Sequence, residues 1–217
     1  AEEDALLKEI CRIIVEDCGH AMVWIGLAEN DAGKSIRPVA YAGFEEGYLE
    51  TLGLTWADTE RGQGPTGRAI RTGEVCQCRN MLTDPAFAPW RDEALRRGYA
   101  SSIVFPLCSN GATIGALSLY SRLPDPFTAD ECMLLSDLAE DVAFGIYALR
   151  NRTESNRSQR ERDLTIAFLR MVENPSDEVS LLGDIGVPPR GIGEKTILAL
   201  QSAAFQAGIS AGEVLLD

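Results

Sequence analysis

The dipeptide Asn110-Gly111 constrains the architecture of this chain more than any other feature. It separates "ASSIVFPLCS" (100–109) from "ATIGALSLYS" (112–121), two runs rich in β-branched and apolar residues. Asn-Gly tolerates positive φ at both central positions of a tight turn, and such a turn returns the chain as an antiparallel strand. A second hairpin is expected where "NDAGKS" separates "AMVWIGLAE" (21–29) from "IRPVAYAG" (36–43). "EVCQC" (74–78) supplies a short further strand. Helical spacing of Leu6, Ile10, Ile13 and Ile14 predicts a helix over Ala5–Asp17. Short helices are expected in "EEGYLETLG", "PTGRAIRTG" and "RDEALRRG", and "RNMLTDPAFAPW" reads as a loop. A long last helix runs through "DPFTADECMLLSDLAEDVAFGIYALR", with Thr128 as N-cap and Glu131 completing a capping box. This order defines an α+β domain: about five mostly antiparallel strands in one sheet, with the first and last helices side by side on one face.

That architecture bears on a conspicuous motif. Gly62, Gly64 and Gly67 in "ERGQGPTGRAIRTGE" spell G-x-G-x-x-G, the fingerprint of dinucleotide-binding loops. Such a loop follows a buried parallel strand and opens a βαβ unit. Here "TWADTE" precedes it, the following helix is short, and "VCQC" is too short for the next core strand. Pro65 suits the first turn of a helix and Gly73 its C-cap, so the segment reads as a bend and a short helix.

The net charge of −13 disfavours nonspecific binding to nucleic acid or anionic lipid, both of which need a basic surface. The apolar runs are too short for a membrane span and "AEEDALLKEI" does not resemble a signal peptide, so no membrane partner and a cytoplasmic location are expected. The six cysteines are scattered, as reduced thiols would be, and Cys76 and Cys78 on one strand should share a buried face. No second cysteine pair or nearby histidine completes a metal site. His20 is the single histidine and reads as a surface residue at a strand edge. With no concentrated acid–base site, no enzymatic activity is expected.

The segments "VWIGLAE", "RPVAYAGFEEGYLETLGLTWAD", "RGQGPTGRAIRTGE", "NMLTDPAFAPWRDEALRRGYASSIVFPL" and "IGALSLYS" together resemble a GAF domain of the kind found in bacterial sensor histidine kinases. The resemblance covers residues 1–150. It implies a sensory module with a small-molecule pocket, dimerisation through the terminal helices, and a signal relayed along the last one. Neither the cyclic-nucleotide signature nor a bilin-attachment Cys-His pair of the family is present, and the cofactor or ligand stays unknown. Candidates for the pocket wall are Trp24, Tyr41, Trp56, Cys76, Trp90, Ser101 and Ser118. Leu134, Leu138, Val142, Ile146 and Leu149 form the stripe expected to face the sheet, a partner or both.

Residues 151–160 lack apolar side chains and read as a polar linker or an extension of the signalling helix. Residues 161–217 resemble the helical accessory subdomain of superfamily-one DNA helicases of the UvrD/PcrA type, carried by "AFLRMVENPSDEVSLLGDIGVPPRGIGEKTILAL". The resemblance implies a helix-hairpin-helix-like element in which Arg190, Gly191, Gly193 and Lys195 contact duplex phosphate. That gives the alternative reading of a DNA-binding accessory module. Against it, six basic residues stand beside nine acidic ones from Arg157 onward.

Overall fold

The computed structural model describes residues 2–43 and 47–173. Two compact units divide the chain, Ala1–Leu149 and Arg150–Asp217. The first is built on a five-stranded antiparallel sheet. Its strands are β1 (Met22–Ala28), β2 (Ile36–Gly43), β3 (Cys76–Cys78), β4 (Ser101–Ser109) and β5 (Ala112–Ser121), in the order β2-β1-β5-β4-β3. The helices are α1 (Glu2–Glu16), α2 (Tyr48–Thr51), α3 (Pro65–Thr72), α4 (Arg91–Arg96) and α5 (Ala129–Glu173).

Local chemistry sets these elements as anticipated. Asn110 and Gly111 take φ of 51° and 75° to turn β4 into β5. Gly73 ends α3 in the left-handed region at φ 68°. The Thr128 hydroxyl accepts the Glu131 backbone N–H at the start of α5. One feature departs from expectation. The loop before α4 contains a 3-10 helix, Pro85–Trp90, whose N-cap Asp84 accepts the Ala86 N–H. Of the two readings of the polar stretch, linker or extended helix, α5 takes the second, and pairs such as Arg157–Glu161 and Gln159–Asp163 link its successive turns.

The sheet separates two apolar clusters. Val23, Ile25, Ile103, Phe105, Leu117 and Leu119 point to one face and pack with α1 and α5. Within α1 the buried stripe is Leu7, Cys11 and Ile14, so Leu6 and Ile13 sit one residue off it and stay exposed. Within α5 the stripe is Leu135, Ala139, Val142, Ala143 and Ile146. Leu134, expected to face the sheet or a partner, is 70% exposed and so lies off the sheet. Both registers have helical period, and only the sheet selects between them. The opposite face carries Met22, Trp24, Ala116, Tyr120, Val104, Cys76 and Cys78 under the short helices. Cross-strand register aligns Trp24 with Ser118, Ser118 with Val104, and Val104 with Cys76 on this face.

Candidate functional site

A cleft opens on the face of the sheet opposite α1 and α5. Ser102 and Val104 of β4 and Tyr120 of β5 form its floor. Tyr48, Leu52, Leu54 and Thr55 give one wall, Gly64 to Gly67 a second, and Phe87 and Trp90 a third. Arg61 borders it as well. Counting its open mouth, the cleft encloses about 370 Å³ of empty space, but the part roomy enough for solvent amounts to little more than one water.

The glycines of the G-x-G-x-x-G motif shape this wall by close approach. A Cβ on Gly64 would lie 2.5 Å from Cζ3 of Trp90. One on Gly67 would lie 2.7 Å from the Thr55 carbonyl oxygen, and one on Gly62 would meet the Ala57 carbonyl. Trp90 is fixed in turn by donating its indole N–H to the Leu52 carbonyl at 2.8 Å. Arg71, from the far end of α3, donates to the carbonyls of Trp56, Ala57 and Gly62 at 3.1, 3.0 and 2.6 Å. The motif therefore folds a loop back onto its own helix.

The wall at α3 is rich in donors. No side chain caps its N-terminus. Pro65 has no N–H, and Arg68 makes the first helical bond, to the Gly64 carbonyl at 3.0 Å. The buried Thr66 and Gly67 contribute N–H groups with no acceptor among the described residues. Arg61 donates to the Leu52 carbonyl at 2.9 Å. No carboxylate lines the cleft among the described residues.

The interior side is polar but unsatisfied. Trp24 Nε1, the Tyr48 hydroxyl and Ser118 Oγ are buried with no hydrogen-bond partner among the described residues. Tyr48 meets Tyr99 and Tyr120 edge-on, with ring centroids 5.5 and 5.7 Å apart. The Tyr120 hydroxyl lies close to the Trp24 indole N–H and the Tyr48 hydroxyl, which draw its pKa down against its burial, though neither pair has hydrogen-bond geometry. Burial pushes the Tyr48 hydroxyl far above the usual phenol range and Tyr120 up to about 12, so both stay neutral. Arg97 stacks over the Tyr48 ring, 5.1 Å from its centroid.

Of the sequence candidates, Trp90 alone borders the cleft. Trp24 and Ser118 lie fully buried on the same sheet face. Cys76 and Cys78 are both buried in that cluster. Trp56 packs at its margin, donating to the Glu29 carbonyl at 2.9 Å under the Lys34 ammonium. Ser101 is held elsewhere, donating to the Leu123 carbonyl at 2.6 Å. Tyr41 shares the face but lies on the edge strand β2 and is 55% exposed. Sequence reasoning missed Tyr48, Arg61, Thr66, Ser102 and Tyr120. Arg190, Gly191, Gly193 and Lys195 lie outside the described residues.

His20 is not the surface residue expected from the sequence. Its side chain is 8% exposed, stacked on Phe127, with Nε2 3.3 Å from a Glu131 carboxylate oxygen. Burial lowers its pKa below the usual imidazole value and Glu131 opposes that shift. It does not border the cleft. Among the described residues no group of His, Cys, Asp and Glu has a metal-binding arrangement, and no helix is long and apolar enough to cross a membrane.

An antiparallel sheet with two helices on one face and a cleft under short helices on the other defines a layered α+β domain. The family model of the GAF domain matches residues 1–146, and the chain belongs to that family. Solved structures share the fold. A GAF domain of a phosphoenolpyruvate-protein phosphotransferase from Coxiella burnetii has a TM-score of 0.58 at 19% identity, covering 70% of this chain and 86% of that one. A domain of a protein described as a two-component sensor histidine kinase, from Sinorhizobium meliloti 1021, has a TM-score of 0.53 at 21% identity, covering 72% and 96%. A free methionine-R-sulfoxide reductase from Neisseria meningitidis, in complex with its substrate, has a TM-score of 0.57 at 20% identity, covering 69% and 81%. No curated protein matches the sequence. GAF domains are in general sensory or regulatory modules that bind small molecules.

Proposed function

We propose that the domain is a non-enzymatic sensor whose cleft takes a small molecule and passes its occupancy across the sheet to α1 and α5. One observation carries this: the buried hydroxyl of Tyr48 has no partner among the described residues, beside an uncapped helix terminus in the same cleft. An unpaired buried polar group costs about 1–3 kcal/mol, and a ligand that pairs it recovers that energy. Native mass spectrometry of the purified protein tests the reading. A retained small molecule, absent after denaturation, is expected. Protein that carries none and shows no thermal shift with any metabolite tried would sink it.

The non-enzymatic part is supported by the thiols. Burial pushes Cys11 and Cys78 up to about 12 and raises Cys76 and Cys132 as well. Nucleophilic thiol chemistry needs the thiolate, which such burial suppresses. Two neighbouring structures are free methionine-R-sulfoxide reductases, so the direct check is incubation with free methionine-R-sulfoxide and dithiothreitol. No methionine above the protein-free rate is expected, and turnover would overturn the reading.

We further propose a homodimer through the terminal helices. Leu6, Ile13 and Phe144 are 36%, 40% and 69% exposed, and Leu6 of α1 lies beside Gly145 of α5. Light scattering should give twice the monomer mass, and Phe144→Glu should yield monomers. A monomeric parent protein refutes this proposal.

A further inference from the structure

The cleft has hydroxyl groups on Thr66, Ser102 and Tyr120 but no carboxylate among its described lining residues. The Leu52 carbonyl at its mouth already accepts from both Trp90 and Arg61. Thr55 Oγ1 donates its hydroxyl proton toward the Gly33 and Lys34 carbonyls, at 2.8 and 2.9 Å, away from the cleft. Donors remain: the Thr66 and Gly67 amides carry the positive end of an eight-residue helix. The fully buried Tyr48 borders the same cleft, and its hydroxyl, which has no hydrogen-bond partner among the described residues, supplies an independent donor. Arg61 adds one full positive charge, and no carboxylate lines the cleft among the described residues.

Resting on the reading of this cleft as a ligand site, we infer that its ligand is a small organic monocarboxylate. The Thr66 and Gly67 amides, the Tyr48 hydroxyl and Arg61 bind the carboxylate, and a short alkyl tail faces Phe87 and Val104. One guanidinium and one helix terminus balance a single negative charge better than a phosphate dianion. The neutral Tyr48 phenol can donate to an anion without losing its proton. The enclosed part holds little more than one water, so the carboxylate group seats there and the alkyl tail lies toward the open mouth. The apolar wall distinguishes a carboxylate from an inorganic oxyanion, which has no tail to bury there.

The test is titration of the intact chain with acetate, propionate, nitrate, phosphate and ethanolammonium, followed by calorimetry and amide NMR. The two carboxylates should bind saturably, with shifts at Thr66 and Gly67, and propionate should bind more tightly than acetate. Tyr48→Phe and Arg61→Gln should each weaken propionate at least about tenfold, the loss expected for a hydrogen bond to a charged group. Tyr48→Phe should unfold no more easily than the parent, because it deletes a buried hydroxyl that has no partner. Unchanged propionate affinity in Tyr48→Phe refutes the inference. So does preferential binding of nitrate, phosphate or ethanolammonium. A co-purifying neutral or cationic ligand lost in Tyr48→Phe overturns the carboxylate class but leaves the sensory reading standing. A cleft that binds nothing and retains nothing overturns both.

Discussion

Gly64→Ala puts the close-packing account of the glycine motif at risk. Gly64 has φ −63° and ψ 167°, a conformation alanine adopts without strain, so any cost comes from space alone. The new Cβ would stand 2.5 Å from Cζ3 and 3.3 Å from Cζ2 of Trp90. Ordinary carbon contacts are about 3.5–4.0 Å, so the ring must retreat by about 1 Å. It is wedged beside Phe87 at 5.8 Å between centroids and tied to Leu52 at 2.8 Å. Retreat therefore breaks the buried indole hydrogen bond. Overpacking costs about 1–3 kcal/mol. The orphaned N–H and carbonyl add about 1–3 kcal/mol. Reduced freedom of the unfolded chain returns about 0.4–1 kcal/mol. The net loss is about 3 kcal/mol, or about 6–12 °C in Tm for a domain of this size. Thermal and urea unfolding by circular dichroism measure it, with Gly33→Ala as control. The nearest atom to a Cβ there is Asp31 Oδ1 at 3.8 Å, so the control should stay within about 0.5 kcal/mol. Adding Trp90→Phe should recover part of the loss through a favourable coupling term. If Gly64→Ala is as stable as Gly33→Ala, crowding does not explain the glycine.

Two further outcomes follow from the same geometry. Arg71→Met removes three carbonyl contacts that hold the loop from Trp56 to Gly62, and should cost about 2–3 kcal/mol in urea unfolding; a loss under about 0.5 kcal/mol shows the loop holds itself. Burial lowers the folded pKa of His20 from 6.5, so the unfolded chain takes up this proton at a higher pH than the native one. The stability contributed by the neutral ring is complete above 6.5 and drains away as pH falls through that value toward the folded pKa. Replacing His20 with Gln should flatten urea midpoints measured between about pH 7.5 and 5.5 relative to the parent, and parallel profiles refute the assignment.

The fold was legible because its signals are local. Asn110-Gly111, Gly73 and Thr128 each encode a backbone requirement in one or two residues. Period-two and period-3.6 patterns located the strands and the main helices. The misses have physical causes. Asp84-Pro85 is a helix-start signal, but Pro89 four residues on argued for a loop, and a 3-10 helix accommodates both. The polar part of α5 carries no apolar period, which left linker and helix both open; side-chain pairs across successive turns accompany the helix there. The site was harder. Aromatic type nominated Trp90 and Trp24, yet whether a hydroxyl ends up without a partner depends on neighbours distant in sequence. Tyr48 becomes distinctive only when Tyr99 and Tyr120 close around its ring and none accepts its proton.

The sheet itself indicates where the proposed relay would act. Along β5, Tyr120 borders the cleft and Ser118 lies on the same side of the sheet, while Leu117 and Leu119 face α1 and α5. A ligand that pulls on the polar side thus acts on residues directly bonded to the helix-facing ones. The far end of the same strand is locked. A Cβ on Gly115 would lie 3.2 Å from Leu27 Cα and closer still to the Gly26 carbonyl, and one on Gly26 would lie 2.5 Å from the Trp24 ring and 2.7 Å from Ile36. β1 and β5 therefore approach too closely there to slide. Movement is left to the end that carries Tyr120, where the unpaired Trp24 and Tyr48 groups surround its hydroxyl. Close-packed interiors transmit such displacements instead of absorbing them. The response to ligand should accordingly be largest where α5 begins, near Phe127 and Leu135, and smallest beside Leu27. Amide exchange along α5, with and without ligand, discriminates this from a uniform stiffening of the domain.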